Sequence, residues 1–374
     1  MKKALSTIFL LIYFLTTVVL ADPASVTHDI QYLGISKKYY ETNALTAPLI
    51  TKDGVYIGIT APQSGGYLAK ADKTGKIQKV HTLSGAKDMN AVVSCIGSAE
   101  SDVLIGFKNG DTGKGLIASL NEETGKAIYK TLGTQTVTSM SAGDGKILVH
   151  GCYQQNNQFF LHASCLNSDL DSLFDISIPV NTLHESAIAT DHGAQCSFSN
   201  SLYYMADNLR IHNSDRKQNQ YVITCIDLSG TILWNKVFPD NVRINTIKAA
   251  PDCLIVDCIV GDIVEYGQIT NQHTLLYCFD TDGQLIWQRT FDSPYLFSSC
   301  DISEQGQIVL LTNQSTIYVL DCNGDLQKEV DCISPGKSSN TTGFFVVEND
   351  VYQIGRLPND LFVYKIENAL SVSP

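Results

Sequence analysis

The stretch Ile223-Thr-Cys225-Ile226-Asp227-Leu-Ser-Gly230-Thr-Ile-Leu-Trp234 is matched 53 residues later by Leu276-Tyr-Cys278-Phe279-Asp280-Thr-Asp-Gly283-Gln-Leu-Ile-Trp287. In both, an apolar strand ends in Asp, a tight turn closes on Gly, and a second apolar strand carries Trp four residues beyond the Gly. Asp suits the first place because its carboxylate accepts bonds from backbone amides just ahead of it. Gly suits the turn because it adopts positive φ without a steric penalty. Each copy therefore predicts a β-hairpin.

The same marker recurs at Ala71-Asp72-Lys-Thr-Gly75, Leu120-Asn121-Glu-Glu-Thr-Gly125, Leu166-Asn167-Ser-Asp-Leu170, Leu320-Asp321-Cys-Asn-Gly324 and Ile366-Glu367-Asn-Ala369. Successive acidic or Asn positions are 49, 46, 60, 53, 41 and 46 residues apart. Further β-rich runs precede each hairpin; in the fifth unit they are Ile244 to Ala249, Cys253 to Val260 and Thr274 to Phe279, with Leu285 to Phe291 after the turn. Four short strands per unit of this length is the arithmetic of a propeller blade, and no amphipathic helical period interrupts it. The expected fold is an all-β propeller of seven four-stranded blades. The last marker has no partner strand after it, so Ile30 to Ile35, with Lys37 to Tyr40, is expected to supply the missing outer strand and close the ring by pairing the N- and C-terminal strands. Six blades with a separate N-terminal strand, eight with one degenerate, and a two-domain β-sandwich are the structural alternatives.

Met1-Lys2-Lys3, an apolar run from Ala4 to Leu20, and Ala21 before Asp22-Pro23 follow the order of a secretory signal peptide. Cleavage is expected after Ala21, leaving 22–374 as a single secreted or periplasmic propeller domain; a membrane anchor is the alternative. No Cys follows the cleavage site to take a lipid. Without Lys2 and Lys3 the balance is 24 basic to 38 acidic residues, a field that repels phosphate backbones, so nucleic acid is not an expected partner. The eleven cysteines are odd in number, and several, such as Cys225 and Cys278, fall in apolar strands where a thiol acts as a small hydrophobe. Disulfides are the alternative in an oxidising compartment. No Cys-x-x-Cys or Cys/His zinc spacing occurs.

Trp234, Trp287 and Tyr129, each four residues past a turn Gly, resemble the tryptophan-docking repeat of the pyrroloquinoline-quinone-like propellers, in which a ring packs between neighbouring blades. That family divides into quinoprotein dehydrogenases and non-catalytic relatives, among them the propeller subunit of the bacterial outer-membrane assembly machinery. This chain has no adjacent Cys pair and no match to the dehydrogenases' calcium ligands or catalytic Asp. The resemblance therefore implies the non-catalytic branch, with no cofactor and no catalytic residue to carry over.

The most polar segment, His184-Glu185-Ser186 to Asp191-His192-Gly193, joins the third and fourth blades. Such a His and carboxylate cluster suits ligand binding or acid-base work. An inserted loop from Asp207 to Lys217, with Arg210, His212 and Arg216, accounts for the 60-residue interval and is expected on the same face. Glu265 and Tyr266 extend that surface from the fifth blade. Solvated loops are the plain alternative for all of these. The expected function is a non-catalytic module for binding or scaffolding a protein or surface polymer. One alternative is a propeller enzyme, either a quinone-linked dehydrogenase or a metal-dependent hydrolase or lyase. Another is carbohydrate binding through Tyr203, Tyr204 and Tyr266.

Overall fold

Six of the seven markers fold as their chemistry requires. In the computed structural model, Lys76 N donates to Asp72 Oδ1, Thr124 N to Asn121, Asp171 N to Asn167, Thr231 N to Asp227, Gln284 N to Asp280 and Asp325 N to Asp321, all within 2.7–3.0 Å. The seventh turn borrows its cap, because Asn368 N donates to Asp350 on a neighbouring strand at 2.9 Å. The structure describes residues 27–32 and 49–371, apart from 52–53, 61–65, 73–75, 84, 86–90, 100–101, 110–113, 133–135, 184–186, 190–194, 213–216, 264–268, 292–296, 313–315, 333–339 and 358–359. The expected signal peptide and Lys37 to Tyr40 lie outside the described residues.

Strand β1 (Thr27–Tyr32) stands apart from its neighbours in sequence. The first blade holds β2 (Leu49–Thr51), β3 (Gly54–Ile59), β4 (Tyr67–Ala71) and β5 (Ile77–Thr82). The second holds β6 (Ala91–Ala99), β7 (Asp102–Asn109), β8 (Gly115–Asn121) and β9 (Ala127–Leu132), and the third β10 (Ser139–Gly143), β11 (Lys146–Gln155), β12 (Gln158–Asn167) and β13 (Ser172–Pro179). In the fourth, β14 (Ala187–Ala189) and β15 (Gln195–Ser199) share the inner edge of β16 (Leu202–His212), followed by β17 (Lys217–Asp227) and β18 (Ile232–Val237). The fifth is β19 (Val242–Ala249), β20 (Leu254–Ile263), β21 (Ile269–Phe279) and β22 (Leu285–Phe291). The sixth is β23 (Phe297–Ile302), β24 (Ile308–Thr312), β25 (Thr316–Leu320) and β26 (Leu326–Asp331). The seventh is β27 (Asn340–Val347), β28 (Asp350–Leu357) and β29 (Asp360–Glu367), completed by β1. This is the expected seven-bladed all-β propeller. The closing strand pairs antiparallel from Thr27↔Glu367 to Tyr32↔Phe362, three residues earlier than the sequence suggested.

The core lies between blades rather than at one centre. Tyr204, Ile223 and Cys225 of the fourth blade pack on Ile244, Leu254 and Val256 of the fifth; Tyr352 and Val363 of the seventh pack on Val55, Ile57 and Ala69 of the first. Around the central channel, side chains of one inner strand take up the edge amides of the next. Cys196 N donates to Ser139 Oγ at 2.8 Å, Ile247 N to Gln195 Oε1 at 3.0 Å, Ala249 N to Ser197 Oγ at 2.9 Å and Val346 N to Asp301 Oδ2 at 2.9 Å. Otherwise unpaired inner edges are thereby satisfied.

A second belt runs along the outer strands. Trp234 Nε1 donates to Thr281 O of the next blade's turn at 2.9 Å, and Trp287 Nε1 to Cys322 O at 3.0 Å. Each ring lies on the next turn's glycine: a Cβ on Gly283 would stand 2.8 Å from Trp234, and one on Gly324 2.9 Å from Trp287. Phe174 meets Gly230 in the same way. In the first and sixth blades a lysine takes the place of the ring, with Lys79 Nζ donating to Glu122 O at 3.4 Å and Lys328 Nζ to Asn368 O and Ser371 O at 3.3 and 2.9 Å. Gly283, at φ 77°, has neither the conformation nor the room for a side chain. Gly283→Ala is expected to cost about 2 kcal/mol, read as a shift in the urea midpoint at constant slope.

A bulge places these residues. Cys225↔Trp234 is followed by Ile226↔Ile232, which leaves Leu233 unpaired; the same slip leaves out Leu173 and Ile286, and all three are about half exposed. The second blade lacks the slip: Leu120↔Ala127, Ser119↔Ile128 and Ala118↔Tyr129 pair without interruption. Its turn, Asn121 to Gly125, is one residue longer than Asp227 to Gly230, and a one-residue change of register turns a side chain to the other sheet face. Tyr129 accordingly packs back toward the first blade, beside Leu83 and Val93 and over Gly85, and not onto the third.

Candidate functional site

Because each blade is a meander, the links between its second and third strands share a face with the links between blades. On that face three consecutive blades stand taller than the rest. The paired arms are β11 and β12 (ten residues each), β16 and β17 (eleven each), and β20 and β21 (ten and eleven), against eight and seven for β7 and β8, eight each for β28 and β29, six and five for β3 and β4 and five each for β24 and β25. Two to five extra residues at a strand's rise lengthen an arm by about 7–16 Å. The ring therefore carries a raised wall on one side.

The wall is rich in amides. On the third blade, Gln154, Gln155, Asn156 and Asn157 are exposed; Asn156 and Asn157 hold φ of 50° and 61°, the pair of positive values a two-residue hairpin turn needs. On the fifth, Asn271 Nδ2 donates to Asp262 Oδ2 across the hairpin at 2.7 Å. On the fourth, Arg210 is exposed and pairs with Asn219.

The expected loop from Asp207 to Lys217 is corrected here. It is strand over most of its length, zipped from Asp207↔Val222 to His212↔Lys217, because the alternation in Asp207-Asn-Leu-Arg210 continues that of β16. Arg210 thus sits on the wall, and His212 ends β16. His184, Glu185, Asp191, His192, Arg216, Glu265 and Tyr266 lie outside the described residues. The third-to-fourth blade link and the fourth-blade hairpin do meet, since Ala187 of β14 pairs with Ile211. Tyr203 and Tyr204 are 0% and 1% exposed, so neither offers a ring to a sugar.

Sequence reading missed a buried His-carboxylate pair 57 residues apart in the chain. His150 Nε2 lies 3.1 Å from Asp207 Oδ1 between the third and fourth blades, with side chains 0% and 2% exposed. Asp207 lies in β16 between Leu209, which pairs with Ala189, and Ala206, which pairs with Gln195. The pair is sealed from water between two blades, and no substrate can reach it without movement of the strands. Among the described residues no three His, Cys, Asp or Glu side chains converge as a metal site would require.

Each of the eleven cysteines is a free thiol. Burial pushes Cys165 up to about 11 and Cys225 to about 12, so neither is a nucleophile at neutral pH. Asp257, fully enclosed beside the sixth blade, is pushed up to about 7 by loss of solvation, against one bond from Asn245 Nδ2 at 2.9 Å. The native state therefore holds a proton that the unfolded chain releases. Stability from this group is highest near pH 4, falls as pH rises toward 7 and is flat above. Asp257→Asn is expected to stabilise the protein by about 2–4 kcal/mol at pH 8 and by little at pH 4, measured by urea unfolding at both.

No family model matches the sequence, and no curated protein does. Solved structures do match. The WD40 β-propeller domain of Doa1 is 15% identical, with 90% of this chain and 96% of that one covered and a TM-score of 0.52. The β-propeller domain of the Trilobed protease from Pyrococcus furiosus, described as having an open velcro topology, is 10% identical over 86% of this chain and 94% of that one, with a TM-score of 0.54. BamB from Moraxella catarrhalis is 12% identical over 86% and 96%, but its TM-score of 0.43 carries no weight. This protein is thus a seven-bladed β-propeller. At these identities the likeness speaks to the fold alone.

Proposed function

We propose that the protein is a non-catalytic, exported protein-binding propeller that receives its partner on the amide-rich wall of blades three to five. The observation that carries this reading is the asymmetry of the ring: a fold whose other arms run five to eight residues extends three neighbouring pairs to ten or eleven. Amide side chains that project from a rigid sheet donate and accept in the pattern a partner's backbone or polar surface requires, at less desolvation cost than charges. Export is supported by the Lys2-Lys3, apolar, Ala21 order of the leader, and the pyrroloquinoline-quinone-like affinity by the ring-on-glycine docking of Trp234 and Trp287.

The test places a photo-crosslinking amino acid at Asn157, at Arg210 and, on the opposite face, at Asn323. One recurrent adduct from Asn157 and Arg210, absent from Asn323, is expected; adducts from Asn323 alone, or none from the wall, would refute the reading. Intact mass in the same experiment reports whether residues 1–21 have been removed.

A further inference from the structure

Among the described residues, the boundary between the second and third blades receives no ring or lysine from the outer belt, unlike those from third to fourth through sixth to seventh. With Tyr129 turned toward the first blade, Lys130 takes the side of β9 that faces the third blade, and β9 borders there a cleft of about 340 Å³. A second hollow of about 320 Å³, lined by Asp102, Ser119 and Lys146, opens at the same boundary.

The far wall of the larger cleft is built from one sheet face. Register places Tyr153 opposite Phe160, His162 opposite Ser177, and Ser164 opposite Asp175, so these side chains project together toward the second blade. They are held before any ligand arrives. Tyr153 stacks on Phe160 at 4.9 Å and donates its hydroxyl to Ser177 Oγ at 3.2 Å. Asp175 accepts from Ser164 at 2.6 Å and Ser172 at 3.0 Å, yet its side chain keeps 54% of its surface exposed. His162 bridges Ser177 and Ser164 at 2.9 and 3.2 Å, and burial holds it below the usual imidazole range, hence neutral at pH 7. Gln155 closes the upper end at the foot of the wall's tip.

We propose that this cleft binds a neutral saccharide of one or two rings. The size suits a small ligand. The lining holds one cation, Lys130, and one carboxylate, Asp175, so no net field selects an anion or a cation. What the cleft offers is a pinned aromatic ring beside fixed hydroxyl, amide, imidazole and carboxylate groups of mixed donor and acceptor character. A polyol with an apolar ring face satisfies both at once, and the bonds that fix these side chains lower the ordering cost of binding. The cleft adjoins the protein-binding wall and shares Gln155 with it, but the proposal does not depend on a partner's binding to the wall.

The full chain is titrated with glucose, N-acetylglucosamine, maltose and cellobiose, observed by saturation-transfer NMR and calorimetry, with citrate and lysine as charged competitors. At least one sugar is expected to bind at millimolar concentration or tighter, without displacement by either competitor. Gln155→Ala and Asp175→Asn, neither of which opens the core, are each expected to weaken binding about tenfold with an unchanged melting temperature, whereas Gln327→Ala on the sixth blade leaves it intact. Failure of all four sugars, displacement by citrate or lysine, or wild-type affinity in both cleft variants would overturn the proposal.

Discussion

A chain that begins at Gly34 is expected to lose about 4–6 kcal/mol, most of the margin of an ordinary domain, and with it the cooperative transition of the full protein. Without β1, the outer-edge backbone groups of β29 between Phe362 and Glu367 lose their partners, while the inner edge stays paired with β28. The seventh blade becomes a three-stranded sheet with a bare edge, and its face, through Tyr352 and Val363, is what covers Val55 and Ile57 of the first. Damage at the seam thus reaches both blades that meet there. A melt followed by circular dichroism and by Trp fluorescence separates the outcomes, since Trp234 and Trp287 report on blades far from the seam. Excess peptide of sequence Thr27-His-Asp-Ile-Gln-Tyr32 is expected to restore stability in a concentration-dependent way, as strand addition at an exposed edge does. A truncated chain that melts like the full one would show that the closing strand is dispensable.

The second large effect belongs to the docked rings. Trp234→Ala and Trp287→Ala are each expected to cost about 3 kcal/mol, as loss of a large packed ring does, whereas Trp234→Phe keeps most of the packing and forfeits the bond to Thr281, about 1 kcal/mol. The two rings serve different boundaries, fourth to fifth and fifth to sixth, and share the fifth blade. The double variant is therefore expected to depart from additivity, and equilibrium unfolding of the two singles and the double measures that coupling. Trp→Ala values below about half a kcal/mol, the range of unremarkable surface changes, would mean that the belt is ornament.

How far the sequence discloses this structure depends on whether a feature is local. The hairpins are legible because Asp227 and Gly230 act within a few residues of themselves, and the strand runs of the fifth unit fall close to their observed bounds. The belt is half legible. Phe174 stays hidden because Leu170, at φ 64°, occupies the place where Gly marks the other turns; Lys79 and Lys328 stay hidden because an ammonium group does the ring's hydrogen bonding with no aromatic signature. Tyr129 has the right spacing from its glycine and the wrong face, a consequence of one added turn residue that only pairing register exposes. The candidate site is less legible still. Tyr153, His162, Ser164 and Asp175 converge through register across three strands, and His150 finds Asp207 across a blade boundary, so neither group has a linear pattern. Polarity alone drew attention to Asp207 to Lys217, and the alternation that makes it strand was outweighed by its charge.

The pairing of β1 with β29 also sets a timetable. Thr27–Tyr32 is synthesised more than 300 residues before Asp360–Glu367, so at about 5–20 residues per second the early strand waits tens of seconds for its partner. During that interval six blades can form in order, each on the one before, while a short β-forming segment trails with its backbone unpaired and open to wrong partners. Ring closure thus waits for the last strand of the propeller, and any factor that shields Thr27–Tyr32 until Asp360–Glu367 has been made governs the yield of closed rings.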